Sequence, residues 1–173
     1  MVKVFGMKRS GIHHVDATGD WVIRVTVGYC CGFFFKADSV SDHAPSVNWP
    51  VRVYFEDTDS GGIVYYASYL KFMERARTEW LRGRGIDVER LARKDRVLFA
   101  VRSLEFDYRQ PARLSDALRV SVVLERARRA SLELWQEVTR DDQPLCAGRL
   151  HLAGLDADTL RPRKIPNTIL TEL

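Results

Sequence analysis

The sequence has few cysteines and no long apolar run. Its three cysteines, Cys30, Cys31 and Cys146, are too few for the disulfide framework of a small secreted domain, and no metal-ligand spacing accompanies them. No apolar run reaches the ~20 residues that cross a bilayer, and the first residues lack the apolar region and cleavage site of a signal peptide. We therefore expect a cytoplasmic protein without a membrane span, a metal site or a cofactor.

The chain also lacks a concentration of charge of one sign. It has 27 Lys and Arg against 23 Asp and Glu in 173 residues, a net charge of +4. Residues 1–45 hold five basic and four acidic residues, and the rest of the chain holds 22 and 19. Because nucleic-acid-binding proteins concentrate positive charge in a patch or stripe, we expect no nucleic acid partner.

Two regions of different character meet near Pro45. Residues 1–45 sustain no helical or strand period, although the β-branched stretch 21–27 resembles a short strand. We expect an N-terminal extension of uncertain order over residues 1–45. A single folded domain, for which the length and the 46% hydrophobic share are suitable, is expected over residues 46–173.

The domain begins with a strand, a loop and a helix. Val51, Val53 and Phe55 alternate with polar residues, which predicts a strand with one buried face, and turn formers with two glycines over 56–62 end it. Apolar residues then recur every three or four positions, which predicts a long helix. They are Tyr66, Tyr69, Leu70, Phe72, Met73, Ala76, Trp80 and Leu81. A short polar helix is expected over 88–94.

Four further strands are predicted at about 97–108, 118–126, 131–139 and 144–155. Their short connections make them antiparallel neighbours. A strand, a long apolar helix and four antiparallel strands indicate an α+β fold in which a curved antiparallel sheet wraps the helix. The proline-containing tail 161–173 is predicted to be a surface strap rather than a core element.

Residues 51–70, VRVYFEDTDSGGIVYYASYL, are similar to the signature of the 4-hydroxybenzoyl-CoA thioesterase-like proteins, and in particular to their YbgC-like branch. Residues 72–79 and 108–114, FMERARTE and YRQPARL, also resemble that branch. The resemblance covers roughly residues 49–166. It implies a hotdog fold and hydrolysis of an acyl-CoA substrate to free acid and CoA. It further implies a homodimer or homotetramer with sheets joined edge to edge and sites at subunit boundaries.

The loop 56–62 contains residue types that could take part in thioester hydrolysis, independently of the resemblance. Hydrolysis of a thioester needs a base or nucleophile near the carbonyl carbon and a group that stabilises the oxyanion. A loop carboxylate just before a helix lies near unpaired backbone N–H groups and the positive end of the helix dipole. Aspartates before a helix are, however, most often N-caps or turn residues without chemistry.

The resemblance assigns roles residue by residue. The second aspartate of the family's Asp-x-Asp pattern, its base or nucleophile, falls on Asp59, and the first falls on Asp57, which we expect to shape the loop. The backbone N–H that polarises the carbonyl falls on Tyr66, with Gly62 allowing close approach of the chain. Close relatives often have histidine at the position of Tyr66, a difference that bears on specificity because only the backbone is needed there.

Two groups of side chains are candidates for binding substrate. Tyr65 and Tyr69 are candidate acyl-pocket residues, although aromatic residues at helical spacing more often belong to the core. A set of basic residues could meet the phosphates of CoA, or could form a solvated hairpin face. These are Arg126, Arg128, Arg129, Arg161, Arg163 and Lys164.

Alternative functions differ in what they require of Asp59. One is a non-catalytic hotdog protein that binds acyl carrier protein or partners associated with the Tol-Pal system, and it does not need the carboxylate. A hotdog dehydratase usually depends on a histidine near the helix start, and residues 51–70 contain none. The sequence therefore favours a thioesterase, with acyl carrier protein as a further possible carrier of the acyl group.

Overall fold

The computed structural model describes residues 24–29 and 47–173, and the rest of the predicted N-terminal extension lies outside these ranges. The strands are β1 Arg24–Tyr29, β2 Val47–Arg52, β3 Val97–Tyr108, β4 Ala117–Arg128, β5 Ser131–Arg140 and β6 Gln143–Asp156. The helices are α1 Tyr66–Arg82, α2 Val88–Arg90 with a π-helical continuation over Leu91–Asp95, and α3 Asn167–Glu172. A 3₁₀ turn, Phe55–Asp57, connects β2 to the loop before α1. In the described ranges, no helix combines the length and apolarity needed to cross a membrane.

The strands form one sheet in the order β1-β3-β6-β5-β4-β2. Strands β2 to β6 pair antiparallel with their neighbours, while β1 pairs parallel with the outer edge of β3. Helix α1 packs against β2, β4 and β5 and buries most of its apolar stripe there. The predicted α+β hotdog fold, a long central helix with an antiparallel sheet around it, is confirmed.

Strand β5 shows how the sequence builds the face under α1. Leu132, Leu134, Gln136 and Val138 alternate with more exposed residues and all four are buried. Burial of each leucine contributes about 1.5–3 kcal/mol. Gln136 is the polar member of this row, and its amide is satisfied inside the core. Its Nε2 donates to the carbonyl of Met73 (3.1 Å) and its Oε1 accepts from Arg77 (2.6 Å).

The predicted strands at 97–108, 118–126, 131–139 and 144–155 are confirmed, with ends that differ by at most two residues. The short helix over 88–94 is also confirmed. The prediction of a strand reaching Phe55 is wrong, because β2 ends at Arg52 and Phe55 is 82% exposed. The cause is local: the Tyr54 N–H bonds the Asp57 carboxylate, and the Asp57 N–H bonds the Tyr54 carbonyl.

The tail after β6 lies along the sheet, and the prediction that it contributes nothing to the core is wrong at Ile165. The Ile165 N–H donates to the Arg129 carbonyl and the Arg163 N–H to the Gly154 carbonyl, both at 2.9 Å. Ile165 is buried as a result. A β-carbon on Gly154 would lie 2.9 Å from the Arg163 carbonyl oxygen, so glycine allows this close approach.

The two edges of the sheet differ. Strand β1 covers β3 from Ser103 to Tyr108, while β2 forms the opposite edge. The sequence predicts a short strand at 21–27, and β1 overlaps that stretch. The edge of β3 that a second copy could join is therefore occupied along half its length by this chain's own strand, and edge-to-edge assembly stays a prediction.

Candidate active site

The loop between β2 and α1 is built around the buried carboxylate of Asp57. Its Oδ2 accepts the Tyr54 N–H at 2.9 Å, and the Asp57 backbone carbonyl accepts the Tyr65 N–H at 2.8 Å. One residue thereby closes the 3₁₀ turn and fixes the residue before α1. Asp57 has the loop-shaping contacts that its sequence position suggests.

Asp59 lies on the exposed part of the same loop. Its Oδ1 accepts the Gly61 N–H at 2.8 Å, and its backbone bonds Ile63 and Gly62 at 2.9 and 3.0 Å. Gly62 has φ +72°, a left-handed conformation that suits glycine and closes the turn. No described residue donates to the second carboxylate oxygen, Oδ2. The side chain is thus oriented through one oxygen, and the residue as a whole is exposed.

The loop and the connection from β3 to β4 hold each other in place. Thr58 pairs with Val64, Ile63 pairs with Arg113, and the Val64 N–H donates to the Ala112 carbonyl at 2.8 Å. These backbone bonds fix both ends of the turn that carries Asp59. The position of its carboxylate relative to α1 is therefore set by main-chain bonds rather than by side-chain packing.

The first turn of α1 offers free backbone donors. Tyr65 precedes the helix without a side-chain cap, and its carbonyl accepts the Ser68 N–H at 2.8 Å. The N–H groups of Tyr66 and Ala67 have no acceptor among the described residues, as is usual in a first helical turn. The helix dipole adds partial positive charge at this point. An oxyanion at this tip would meet donors that no described residue occupies.

The three tyrosines after the loop lie in different surroundings. Tyr65 and Tyr66 are 44% and 40% exposed, with ring centroids 4.5 Å apart. Tyr69 is 2% exposed, and its hydroxyl accepts the Ala112 N–H at 2.9 Å. Burial raises the pKa of the Tyr69 hydroxyl above its usual value. Asp59, Gly62, Tyr65 and Tyr66 are therefore all exposed, whereas Tyr69 is buried in the core.

Tyr108 is a residue of this region that the sequence does not single out. It ends β3, is buried, and donates from its hydroxyl to the Tyr66 carbonyl at 3.0 Å. Its ring meets that of Tyr69 edge-on, with centroids 5.4 Å apart. The stretch YRQPARL indicates the family but not this contact, because 42 residues separate the two partners.

An apolar groove of ≈ 540 Å³ runs beside α1, starting one helical turn beyond Tyr66. Strands β3 and β6 form its other wall. It is lined by Leu70, Lys71, Glu74, Arg75, Arg77, Val101, Leu104, Phe106 and Leu150. Because Leu70 is four residues after Tyr66, both lie on the same side of the helix. The groove therefore lies on the side of α1 that carries the Tyr66 side chain, one helical turn from the start of the helix.

The basic residues of the β4–β5 hairpin and the tail lie together, but not near Asp59. The Ile165 N–H bonds the Arg129 carbonyl, which joins the two segments. Strand β4 begins beside the site, where Ala117 pairs with Arg52, and ends at Arg128. Twelve strand residues extend about 35 Å. Within one chain, the structure does not bring these arginines to the Asp59 loop.

Comparison with known proteins identifies the family. Residues 53–173 match the model of the thioesterase-like superfamily. The chain belongs to this superfamily. It is 40% identical over 125 residues to the acyl-CoA thioester hydrolase YbgC of Escherichia coli, which covers 72% of this chain and 92% of that protein. Identity to the acyl-CoA thioesterase YbgC of Haemophilus influenzae is 36% over 122 residues, covering 70% and 90% of the two chains.

Solved structures of thioesterase-superfamily proteins have the same fold. A probable thioesterase from Bartonella henselae superposes with a TM-score of 0.67 at 30% identity, covering 69% of this chain and 98% of that one. The protein is thus a YbgC-like hotdog thioesterase, and its enzyme class is thioester hydrolase. The part of the chain that matches begins close to the Asp59 loop and includes α1 and all of the strands from β3 to β6.

Proposed function

We propose that the protein hydrolyses an acyl-CoA thioester to the free acid and CoA, with the Asp59 carboxylate as base or nucleophile and the Tyr66 backbone N–H as the oxyanion donor. The observation that supports this proposal is the pairing of two features on one short segment. An exposed carboxylate is held at one end of a hydrogen-bonded turn, and free helical N–H groups follow at the other end. Thioester hydrolysis needs both groups.

The reaction can follow either of two balanced routes. As a base, the carboxylate takes a proton from water while the water oxygen attacks the carbonyl carbon. As a nucleophile, the carboxylate attacks that carbon itself, and water then hydrolyses the resulting mixed anhydride. In both routes the C–S bond breaks, CoA leaves as a thiolate that takes up a proton, and negative charge on the carbonyl oxygen is stabilised at the start of α1.

The groove beside α1 suits the acyl group. Its walls are largely apolar, and Leu70 places its near end one turn from the proposed oxyanion donor. Tyr65 and Gly62 are exposed, and we assign the approach of the pantetheine arm to them. We assign the acyl chain to the groove and the thioester to the helix tip. Tyr69 acts from below as a support for this surface.

We further propose a cytoplasmic homodimer or homotetramer with acyl-CoA as substrate. Acyl carrier protein is the alternative carrier of the acyl group. The assembly is supported by strand β2, whose outer edge has no partner strand among the described residues and would be covered by pairing with a second copy. Pairing through the whole length of β3 would require the displacement of β1 from Ser103–Tyr108.

The test is hydrolysis of short, long and aromatic acyl-CoAs by the purified protein and by Asp59→Asn, followed through release of the CoA thiol. Asparagine keeps an oxygen that can accept the Gly61 N–H, so the turn is retained while the carboxylate is lost. We expect kcat/KM to fall about 10²–10⁴-fold. Glu56→Gln, which removes an exposed carboxylate from the same loop, should leave turnover unchanged.

Unchanged turnover in Asp59→Asn would refute the catalytic assignment even if the wild type hydrolyses acyl-CoA. Absence of turnover by the wild type on every substrate, with acyl carrier protein bound in a pull-down, would instead favour the non-catalytic alternative. Wild-type hydrolysis of acyl carrier protein thioesters in preference to acyl-CoA would change the substrate and leave the chemistry of Asp59 intact.

A further inference from the structure

We propose that Tyr108 is a positioning residue for thioester hydrolysis. Its hydroxyl group holds the first peptide groups of α1 in the orientation that presents their N–H groups to the substrate oxygen. The inference rests on the proposed function, because it assigns the oxyanion to this helix tip. Tyr108 itself touches neither substrate nor the reacting atoms.

The Tyr66 carbonyl is held by a donor from outside the helix. In a regular helix this carbonyl accepts the N–H four residues later and has a second lone pair to spare. The Tyr108 hydroxyl, from the end of β3, donates to it at 3.0 Å. The first carbonyl of α1 therefore accepts an additional hydrogen bond from a residue of the sheet. Rotation of this end of the helix would stretch that bond.

The peptide group before Tyr66 is held as well. It consists of the Tyr65 carbonyl and the Tyr66 N–H, the proposed oxyanion donor. The carbonyl accepts the Ser68 N–H at 2.8 Å, and the Tyr65 N–H donates to the Asp57 carbonyl at 2.8 Å. The Tyr108 hydroxyl holds the next peptide group along the chain. The Tyr66 N–H therefore lies between two backbone groups that are both held by hydrogen bonds. Its direction is thus set before a substrate arrives, which is the condition for effective oxyanion stabilisation.

The bond has an electronic effect in addition to its mechanical one. The Tyr66 carbonyl belongs to the same peptide group as the Ala67 N–H, which also has no acceptor among the described residues. A donor on the carbonyl polarises the peptide group and strengthens its N–H as a donor. Tyr108 therefore acts on two neighbouring N–H groups: it orients that of Tyr66 and strengthens that of Ala67.

The ring of Tyr108 is itself fixed. It meets the Tyr69 ring at 79° and 5.4 Å, and the Tyr69 hydroxyl accepts the Ala112 N–H. The Ala112 carbonyl in turn accepts the Val64 N–H at the end of the Asp59 turn. The same stack of tyrosines thus joins the helix tip to the loop of the catalytic carboxylate. These contacts between the tyrosines and Ala112 fix the position of the Tyr66 N–H relative to the Asp59 carboxylate.

The test is Tyr108→Phe, which keeps the ring and its packing and removes only the hydroxyl. An oxyanion forms only in the transition state, so a misaligned donor lowers kcat and has little effect on KM. We expect kcat to fall about tenfold, less than the ~10²–10³-fold that accompanies complete loss of an oxyanion donor, and KM to change by less than about twofold. Tyr54→Phe, which removes the hydroxyl of an exposed tyrosine near the same loop, should match the wild type.

A merely structural role for Tyr108 is tested by a second variant that destabilises β3 away from the helix tip. Val97→Ala makes a cavity at the opposite end of β3, at a fully buried site remote from the helix tip. Both variants are assayed well below their own unfolding midpoints. Reduced kcat in Tyr108→Phe alone supports the proposal. Equal reduction in both variants, a change confined to KM, or wild-type kcat in Tyr108→Phe overturns it. If Asp59→Asn is inactive in that last case, the proposed function survives.

Discussion

The buried contact between Arg77 and Gln136 should make an unusually large contribution to stability. Arg77 on α1 is buried, and burial lowers the pKa of its guanidinium group. It donates to Gln136 on β5 at 2.6 Å and also forms an ion pair with the exposed Glu74. Gln136 is 0% exposed. Substitution Gln136→Leu would leave a nearly dehydrated cation with one partner fewer, at nearly constant side-chain volume.

The cost can be worked out from the contacts. Loss of a hydrogen bond to a charged group costs about 1.5–3 kcal/mol, and a buried donor left unsatisfied adds about 1–3 kcal/mol. The remaining ion pair with Glu74 keeps the total near the lower end, at about 3 kcal/mol. Met73 loses little, because its carbonyl keeps its helical bond. Replacement of both partners by apolar residues removes the unsatisfied cation as well.

The assay is a double-mutant cycle of Gln136→Leu and Arg77→Met, measured by urea unfolding with circular dichroism at one fixed protein concentration. We expect the double variant to be more stable than the sum of the single effects predicts, by about 2 kcal/mol. Gln143→Leu, the same substitution at an exposed strand position, should change the free energy of unfolding by less than about 0.5 kcal/mol. Additive single effects would refute the argument that the two side chains satisfy each other.

Two further predictions concern the groove and the acid side of the pH range. Val101→Trp should partly fill the groove at a position away from Tyr66, and we expect kcat/KM for long acyl-CoAs to fall about tenfold while short acyl-CoAs are unaffected; an equal fall for all chain lengths would argue against the groove as acyl site. Arg149 bonds Glu125 at 2.6 and 3.0 Å and lowers the pKa of that carboxyl group. A lowered pKa stabilises the fold above the unfolded value of about 4.3, and this stabilisation is lost as the pH falls through the folded value. The wild type should therefore be more stable than Glu125→Gln at pH 7, by less than about 1 kcal/mol. This difference in the free energy of unfolding should disappear below about pH 4.3. A difference that persists at pH 2 would contradict the assignment of the effect to the Glu125 carboxylate.

The sequence was sufficient to predict those strands and helices in which buried residues recur at a regular spacing. In β5, Leu132, Leu134 and Val138 are separated by even numbers of residues and are all buried on one face of the strand, so alternation alone locates the strand. Helix α1 is equally clear, because its apolar stripe continues for four turns. Phe55 continues the alternating pattern of β2 in the sequence, but it does not belong to the strand. The hydrogen bonds between Tyr54 and Asp57 turn the chain there, so the alternating pattern does not predict where the strand ends.

The site was predictable only in part. Asp59, Gly62 and Tyr66 lie within one short segment of the sequence. The resemblance to the family therefore sufficed to predict that they lie near one another. The contact between Tyr108 and Tyr66 depends on how β3 is placed against α1, and no spacing in the sequence reports it. For Tyr69, helical spacing indicates an inward side chain but not whether it borders a pocket or lies under it. That distinction depends on Ala112, which comes from a distant connection.

The length of the loop between β2 and α1 is constrained at both ends. The bond from the Tyr65 N–H to the Asp57 carbonyl closes a ring around the seven residues 58–64. One added or deleted residue would either open that ring or turn α1 by about 100° about its axis, which would carry Phe72 and Trp80 away from the sheet. An insertion here would thus disturb the carboxylate and the core together.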